Sequence, residues 1–220
     1  MSGAQQISFA NQRSFGEPLP TVIGQVFGGG FYAGQISTTG DSVATHYLVV
    51  GPLSVANAEL QWKNANTATP GADSGIDGPQ NTADMVADGN STVYPAAHFC
   101  NDLVAGGFSD WYMPAKNELE VCYFNLKPTT ASNVTNSGIN PNAVPARASE
   151  YTAATPAQTS AAAFQAGGAE AFSSLSPFHW SSTESSTTNA WRQQFNNGYQ
   201  LSNGTKDTAR LIRAVRRVPV

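Results

Sequence analysis

The residues in this sequence whose types could do chemistry are two cysteines, three histidines and a thin scatter of carboxylates, and their spacing assembles no reactive constellation. Cys100 and Cys122 are too few for a disulfide framework or a four-cysteine zinc site. A cysteine nucleophile also needs a positioned base. His46, His98 and His179 show neither the HxH nor the HxxxH spacing of a metal or base cluster. Both cysteines fall on apolar stripes and read as buried free thiols, with a late-forming disulfide as the other reading. Asp73, Asp77 and Asp84 suggest calcium by type, yet they match no EF-hand loop and read as solvated turn carboxylates. No cofactor and no catalytic residue is expected, and calcium has no motif behind it.

Binding is better provided for than catalysis. Ser181 to Gln200 mixes rigid aromatic side chains with short hydrogen-bonding ones, the composition of surfaces that recognise through loops. The candidate ligand-binding residues there are Ser182, Glu184, Trp191, Gln193, Asn196, Asn197 and Tyr199. Charge narrows the partners. A net charge of -4 and a pI near 5.2 leave no basic stripe to displace counterions from phosphates, so nucleic acid is not expected. Arg210, Arg213, Arg216 and Arg217 alternate with apolar residues and read as the polar edge of a strand rather than a phosphate clamp. No apolar run reaches the roughly 18 residues needed to cross a bilayer. The first residues lack the charge and apolar core of a secretory signal, which implies synthesis in the cytoplasm and release by particle assembly and lysis.

These residues need elements to hold them. Only 12% of the chain is charged, against about 25% in ordinary soluble domains, while small polar residues abound. A loop-rich α+β domain follows. Residues 1–27 are read as an arm or edge strand and residues 28–220 as one domain. Gly30 to Ile36 and Thr45 to Leu53 form a hairpin whose second strand is central. Residues 64–92 are polar, full of turn signals and without periodicity; this loop insertion is a candidate recognition surface. Pro95 opens a helix with Ala96, Phe99, Cys100 and Leu103 on one face, closed at Gly106-Gly107. Pro114 opens a second with Leu119, Cys122, Tyr123 and Leu126, stopped by Pro128. If both stripes face one core, the thiols lie close together. Residues 128–177 are a second insertion with a short helix from Gln158 to Gln165 or on to Phe172. Strands follow from His179 and from Ala190, with turns at Asn196-Asn197-Gly198 and Asn203-Gly204, then a single terminal strand from Thr208 to Val220. Strands at both ends with two helices and long loops between them suggest a domain whose terminal strands pair in one sheet.

Three segments carry a resemblance. Gly106-Gly107-Phe108-Ser109-Asp110-Trp111-Tyr112-Met113-Pro114 leads into Lys116-Asn117-Glu118-Leu119; Trp180-Ser181-Ser182-Thr183-Glu184 and Leu211-Ile212-Arg213-Ala214-Val215-Arg216-Arg217-Val218 follow. In this order they resemble the Lcl C-terminal-like domain family, a domain of unknown function found in bacterial surface proteins and phage tail proteins. The resemblance spans roughly Tyr94 to Val218, and Gly24 to Trp62 is similar to the N-terminal part of phage-encoded members. It implies a C-type-lectin-like fold, related to formylglycine-generating enzymes and to the variable proteins of diversity-generating retroelements. In the latter, the C-terminal part presents the diversified face, which is a second reason to single out the residues around Trp191. The motif residues themselves read as scaffold: Trp111 as a buried anchor, Pro114 and Glu118 at a helix start, and Trp180, with Trp191 after it, as cover for the sheet.

The function implied is that of a phage virion protein, made in the host cytoplasm and extracellular after release. It would be a tail-fibre or tail-tip adhesin or a decoration protein that binds protein or glycan without catalysis. Its partners would be other virion proteins, copies of itself in a homo-oligomer with a trimer favoured, and a host surface glycan or protein. The alternative is a bacterial surface lectin-like module. Against strict calcium-dependent sugar binding, Asn140-Pro141-Asn142 has no neighbouring acid and Trp180-Ser181-Ser182 lacks carboxylates. A formylglycine-generating type of oxidase is the remote alternative, since its reactive cysteine pair is not expected on core stripes.

Overall fold

The alternation after Gly30 and the β-branched run after Thr45 meet as a hairpin in the computed structural model, which describes residues 16–220. Strand β2 (Gly30–Ile36) lies antiparallel to β3 (His46–Val50), with Phe31 opposite Val50 and Ile36 opposite His46. The expected N-terminal arm falls largely outside the described residues. Its end supplies β1 (Val26–Phe27), a two-residue edge strand on β2. On the other side of β3 runs β9 (Val215–Pro219), giving the order β1-β2-β3-β9: the first and last strands share one sheet but lie at its opposite edges, so the expected pairing of the terminal strands is not formed and β9 pairs with β3 instead. Tyr47 and Val49 enter one hydrophobic cluster while Leu48 and Val50 enter another. The sheet is covered on both faces, which is why β3 reads as a nearly continuous apolar run.

The second sheet has the order β4-β8-β5-β6-β7. Its strands are β4 (Asn57–Leu60), β5 (Phe178–Ser186), β6 (Asn189–Gln194), β7 (Gln200–Thr205) and β8 (Arg210–Arg213). Two expectations fail here for the same reason: alternation reports the pleat and not the partner. The terminal stretch is not one strand. At Ala214 its N–H goes to the Ala56 carbonyl and its own carbonyl accepts from Gly51, each at 2.9 Å, and the chain passes from the second sheet to the first. Asn203-Gly204 is not a turn either. Both residues lie inside β7, where Ser202 and Asn203 together face Trp191 across a bulge between the pairs Ala190–Gly204 and Arg192–Leu201.

Among the described residues four helices complete an α+β fold: α1 (Leu53–Ala56), α2 (Gly78–Asp88), α3 (Pro95–Asn101) and α4 (Lys116–Leu126). Helix α2 corrects the reading of 64–92 as structureless. Asp77 caps it by accepting from the Gln80 N–H, and its inner face is polar, with Asn81 and Thr82 buried beside Met85. Asn81 Nδ2 donates to Ser74 O and Ser182 Oγ, and Thr82 Oγ1 to Gly78 O. A helix buried through hydrogen bonds leaves no apolar period to read. Helix α3 stops well before Gly106-Gly107, and in 128–177 the expected helix shrinks to one 3-10 turn at Ala162–Phe164. Helix α4 is buried on nearly every side, Glu118 and Glu120 included. Cys100 and Cys122 are both fully buried, but the first packs with Trp62, Tyr94 and Trp180 and the second with Leu126, Phe172 and Phe195. The two stripes face different clusters.

The C-terminal arginines explain the scaffold. They are not a solvent-facing edge. Arg213 pairs with Glu170 at 2.8 Å and donates to the Gly51 carbonyl. Arg216 makes two 2.7 Å bonds to Asp110 and a third to the Gly28 carbonyl. Arg217 donates to Glu118 at 2.8 Å, and Glu118 also receives the Tyr112 hydroxyl and the Ala115 N–H. Fork-shaped guanidinium groups thus join segments 43 to 188 residues apart along the chain.

Candidate functional site: a cleft beside Trp191

Of the four lysines in the chain, three are tied down inside it. Lys63 Nζ donates to Ala68 O at 2.7 Å and Thr69 Oγ1 at 3.3 Å, with Asp88 at 3.7 Å. Lys127 Nζ donates to Ala131 O at 2.5 Å, Asn133 Oδ1 at 2.7 Å and Pro156 O at 3.2 Å. Lys206 Nζ reaches Thr67 O, Thr187 O and Glu184, all within 3.0 Å. These ammonium groups pin the two insertions onto the core.

Lys116 differs. Its Nζ stands 4.3 Å from the Trp191 ring centroid, with no hydrogen-bond or carboxylate partner among the described residues. Partial burial lowers its pKa. The four tryptophans divide in the same way: Trp62, Trp111 and Trp180 are buried, and Trp191 is left partly exposed. The lysine without an acceptor and the tryptophan outside the core are in contact with each other.

Both side chains are placed by the fold. The β-bulge sets Trp191 against two residues of β7. Lys116 begins α4, its N–H donating to Thr183 Oγ1 at 3.0 Å and its carbonyl accepting from Gln200 Nε2 at 3.4 Å. Opposite them, the 136–139 segment is held by Tyr151, whose N–H donates to Ser137 O at 2.7 Å, and by the Gln200 N–H on Ser137 Oγ at 3.1 Å. Gly138 has φ of 109°, and an added Cβ would fall 2.3 Å from the Tyr151 ring, so glycine alone suits this wall. The cleft enclosed is about 230 Å³, lined among others by Lys116, Trp191, Ile139, Leu201, Gln200 and Glu150. Ile139 is 55% exposed, and the exposed Glu150 carboxylate has no partner among the described residues.

Of the candidates read from the sequence, Trp191 alone lines this cleft. Ser182 and Gln193 are fully buried: Ser182 accepts from Asn81, and Gln193 faces the Tyr151 hydroxyl and the Gly198 carbonyl, each at 3.4 Å. Glu184 is occupied by Lys206 and by the Thr69 N–H. Asn197 Oδ1 accepts from the Tyr199 N–H within its turn, and Asn196 gives its carbonyl to Thr129 Oγ1. Lys116, Ile139, Glu150, Gln200 and Leu201 were not singled out as binding residues. Lys116 sits inside a motif that reads as scaffold, and no local pattern marks Ile139 or Glu150.

The groups capable of reaction are enclosed. Burial pushes both thiols well above their ordinary range. His179 has neither ring nitrogen hydrogen-bonded among the described residues; packed on Phe172 and Phe195, it is kept neutral down to about 3 by burial and by Arg213. No group of three or more His, Cys, Asp and Glu side chains among the described residues is placed to hold a metal.

Two sheets joined by arginine forks, with a small aromatic cleft on the outside, define an α+β domain whose charged interior is architectural. The chain belongs to the Lcl C-terminal domain family, whose model matches residues 56–216 and so includes all three motif segments together with α2. No curated protein matches it. Among solved structures, a fimbrial protein from Bacteroides ovatus ATCC 8483 is similar at 13% identity and a TM-score of 0.41; the match covers 81% of this chain and 36% of that one.

Proposed function

We propose that this protein is a non-catalytic attachment module with a C-type-lectin-like fold, displayed on a particle or cell surface. The phage virion is its setting, as a tail adhesin or decoration subunit assembled with copies of itself. The observation that carries the reading is a contrast in exposure: both thiols and His179 are buried and three of the four lysines are bound to oxygen, while Trp191 and Lys116 stand together in an open cleft. A half-exposed tryptophan among amide and hydroxyl groups gives area with little side-chain entropy to lose, the economy of a recognition surface. Family membership and the low-charge, Ser/Thr/Asn-rich composition agree with a surface role.

The test is binding of the labelled full chain to arrayed bacterial surface glycans and proteins, with Trp191→Ala alongside. The expected result is a ligand signal that the variant loses at least about tenfold while its melting temperature holds. Equal binding by both proteins would remove the cleft from the function. Immunolocalisation on purified particles then separates the two virion roles: a distal tail position means host contact and a shell position means cementing.

A further inference from the structure

Resting on the reading of the Trp191 cleft as a binding site, we infer that its ligand is a small zwitterion, an α-amino acid or dipeptide unit with a free carboxylate for Lys116 and a free ammonium for Glu150.

Arg192 and Arg210 also lie over aromatic rings without a carboxylate among the described residues, but the other three lysines and the arginines of the interior are matched to oxygen. Lys63, Lys127 and Lys206 each have at least two oxygen acceptors, and Arg213, Arg216 and Arg217 each pair with a carboxylate. Against that pattern, one small cleft holds a cation and an anion that each lack a partner among the described residues. Lys116 is partly desolvated, so the cost of withdrawing its ammonium from water has been met by the Trp191 ring alone. An incoming carboxylate gains a charge-assisted bond to a group already held in place. Two unmatched charges of opposite sign disfavour a polyanion, which Glu150 repels, and equally a polycation, which Lys116 repels.

Size points the same way. At about 230 Å³ the cleft is smaller than the roughly 300–1,000 Å³ of drug-sized sites, enough for one or two amino-acid units. Trp191 presents one face to Lys116, which removes that face from sugar stacking. Ile139 and Leu201 supply apolar contact for a short aliphatic side chain, and Gln200 an amide for the peptide bond.

The experiment titrates the full chain with alanyl-alanine in its L,L and D,D forms, with its N-acetyl derivative and with its C-terminal amide. The readout is the Trp191 indole N–H resonance, assigned by its loss in Trp191→Phe. The unmodified dipeptide should shift that resonance with a Kd on the order of 1 mM or tighter. Blocking either end should weaken binding about tenfold or more. Lys116→Met should abolish the discrimination against the amide and Glu150→Gln that against the N-acetyl form, a double-mutant logic that a merely structural role would not reproduce. No shift with either stereoisomer, or equal affinity for blocked and free ends, overturns the inference. Should a neutral oligosaccharide shift Trp191 while the dipeptides do not, the attachment reading stands and the zwitterion falls. Silence from both, with Trp191→Ala still binding its surface, removes the cleft itself.

Discussion

Arg216 and Lys116 are both cations laid on aromatic rings, and the fold uses them in opposite ways. Arg216 lies 3.7 Å from the Phe108 centroid and 6.0 Å from Trp111, is 2% exposed, and gives both ends of its fork to Asp110. Lys116 lies 4.3 Å from Trp191 and gives its ammonium to no oxygen among the described residues. The same cation–ring contact is closed off by a carboxylate in one region and left open in the other. Arg216 is buried while Asp110 reaches the surface, and a guanidinium so enclosed needs its carboxylate because an uncompensated charge in the interior costs several kcal/mol. At a surface cleft water relieves that demand, so a cation can be held in readiness. The difference teaches where the proposed recognition is to be tested: at the lysine whose ring contact is not closed off by an oxygen partner among the described residues.

The comparison breaks most decisively if the interior charges prove dispensable. Arg217→Ala leaves Glu118 buried without its cation, and a loss of about 3–5 kcal/mol is expected in the unfolding free energy from urea titration. A loss under about 1 kcal/mol would mean that the arginine forks do not hold the fold. Acid should expose the next largest effect. His179 is kept neutral when folded, its pKa depressed from 6.5 to about 3, while the unfolded chain takes up a proton as the pH falls through 6.5. Stability must therefore decline below pH 6.5, by about 3 kcal/mol at pH ~4, and His179→Phe should flatten that decline. The difference between the two proteins isolates the histidine, since Glu118 and Glu120, whose carboxyls burial raises, act in the opposite sense in both.

A smaller and more local loss is expected from Lys127→Met, which strands the Ala131 and Pro156 carbonyls and Asn133. About 2 kcal/mol should appear, with faster hydrogen exchange concentrated between residues 129 and 159. Smallest of all, Lys116→Met should change stability by less than about 1 kcal/mol, since only a surface cation–π contact is lost. A larger loss would place Lys116 with the structural lysines and close the gap on which the cleft's role depends.

How much of this was open to reading from the residues follows their range of interaction. The β2–β3 hairpin, the helices opened by Pro95 and Pro114 and the burial of Trp111 and Trp180 depend on neighbours a few positions away, and each left a period or a punctuation mark. The α+β class and the family motifs were likewise present in the chain. Helix α2 was hidden because its buried face is made of Asn81 and Thr82, satisfied by Ser74 and Ser182 far away or out of pattern. The arginines looked like a wet edge because nothing local shows that Glu170, Asp110 and Glu118 would meet them.

For the site, composition around Trp191 determined that this segment contains a binding-type side chain. Only the tertiary structure decided which neighbours share its cleft, since Lys116, Ile139, Glu150 and Leu201 come from four separate stretches of sequence. Alternation along a strand states which residues share a face. Whether that face meets core, water or another segment depends on what the rest of the chain lays across it, and that is settled only when hydrogen bonds and charges are matched over the whole fold.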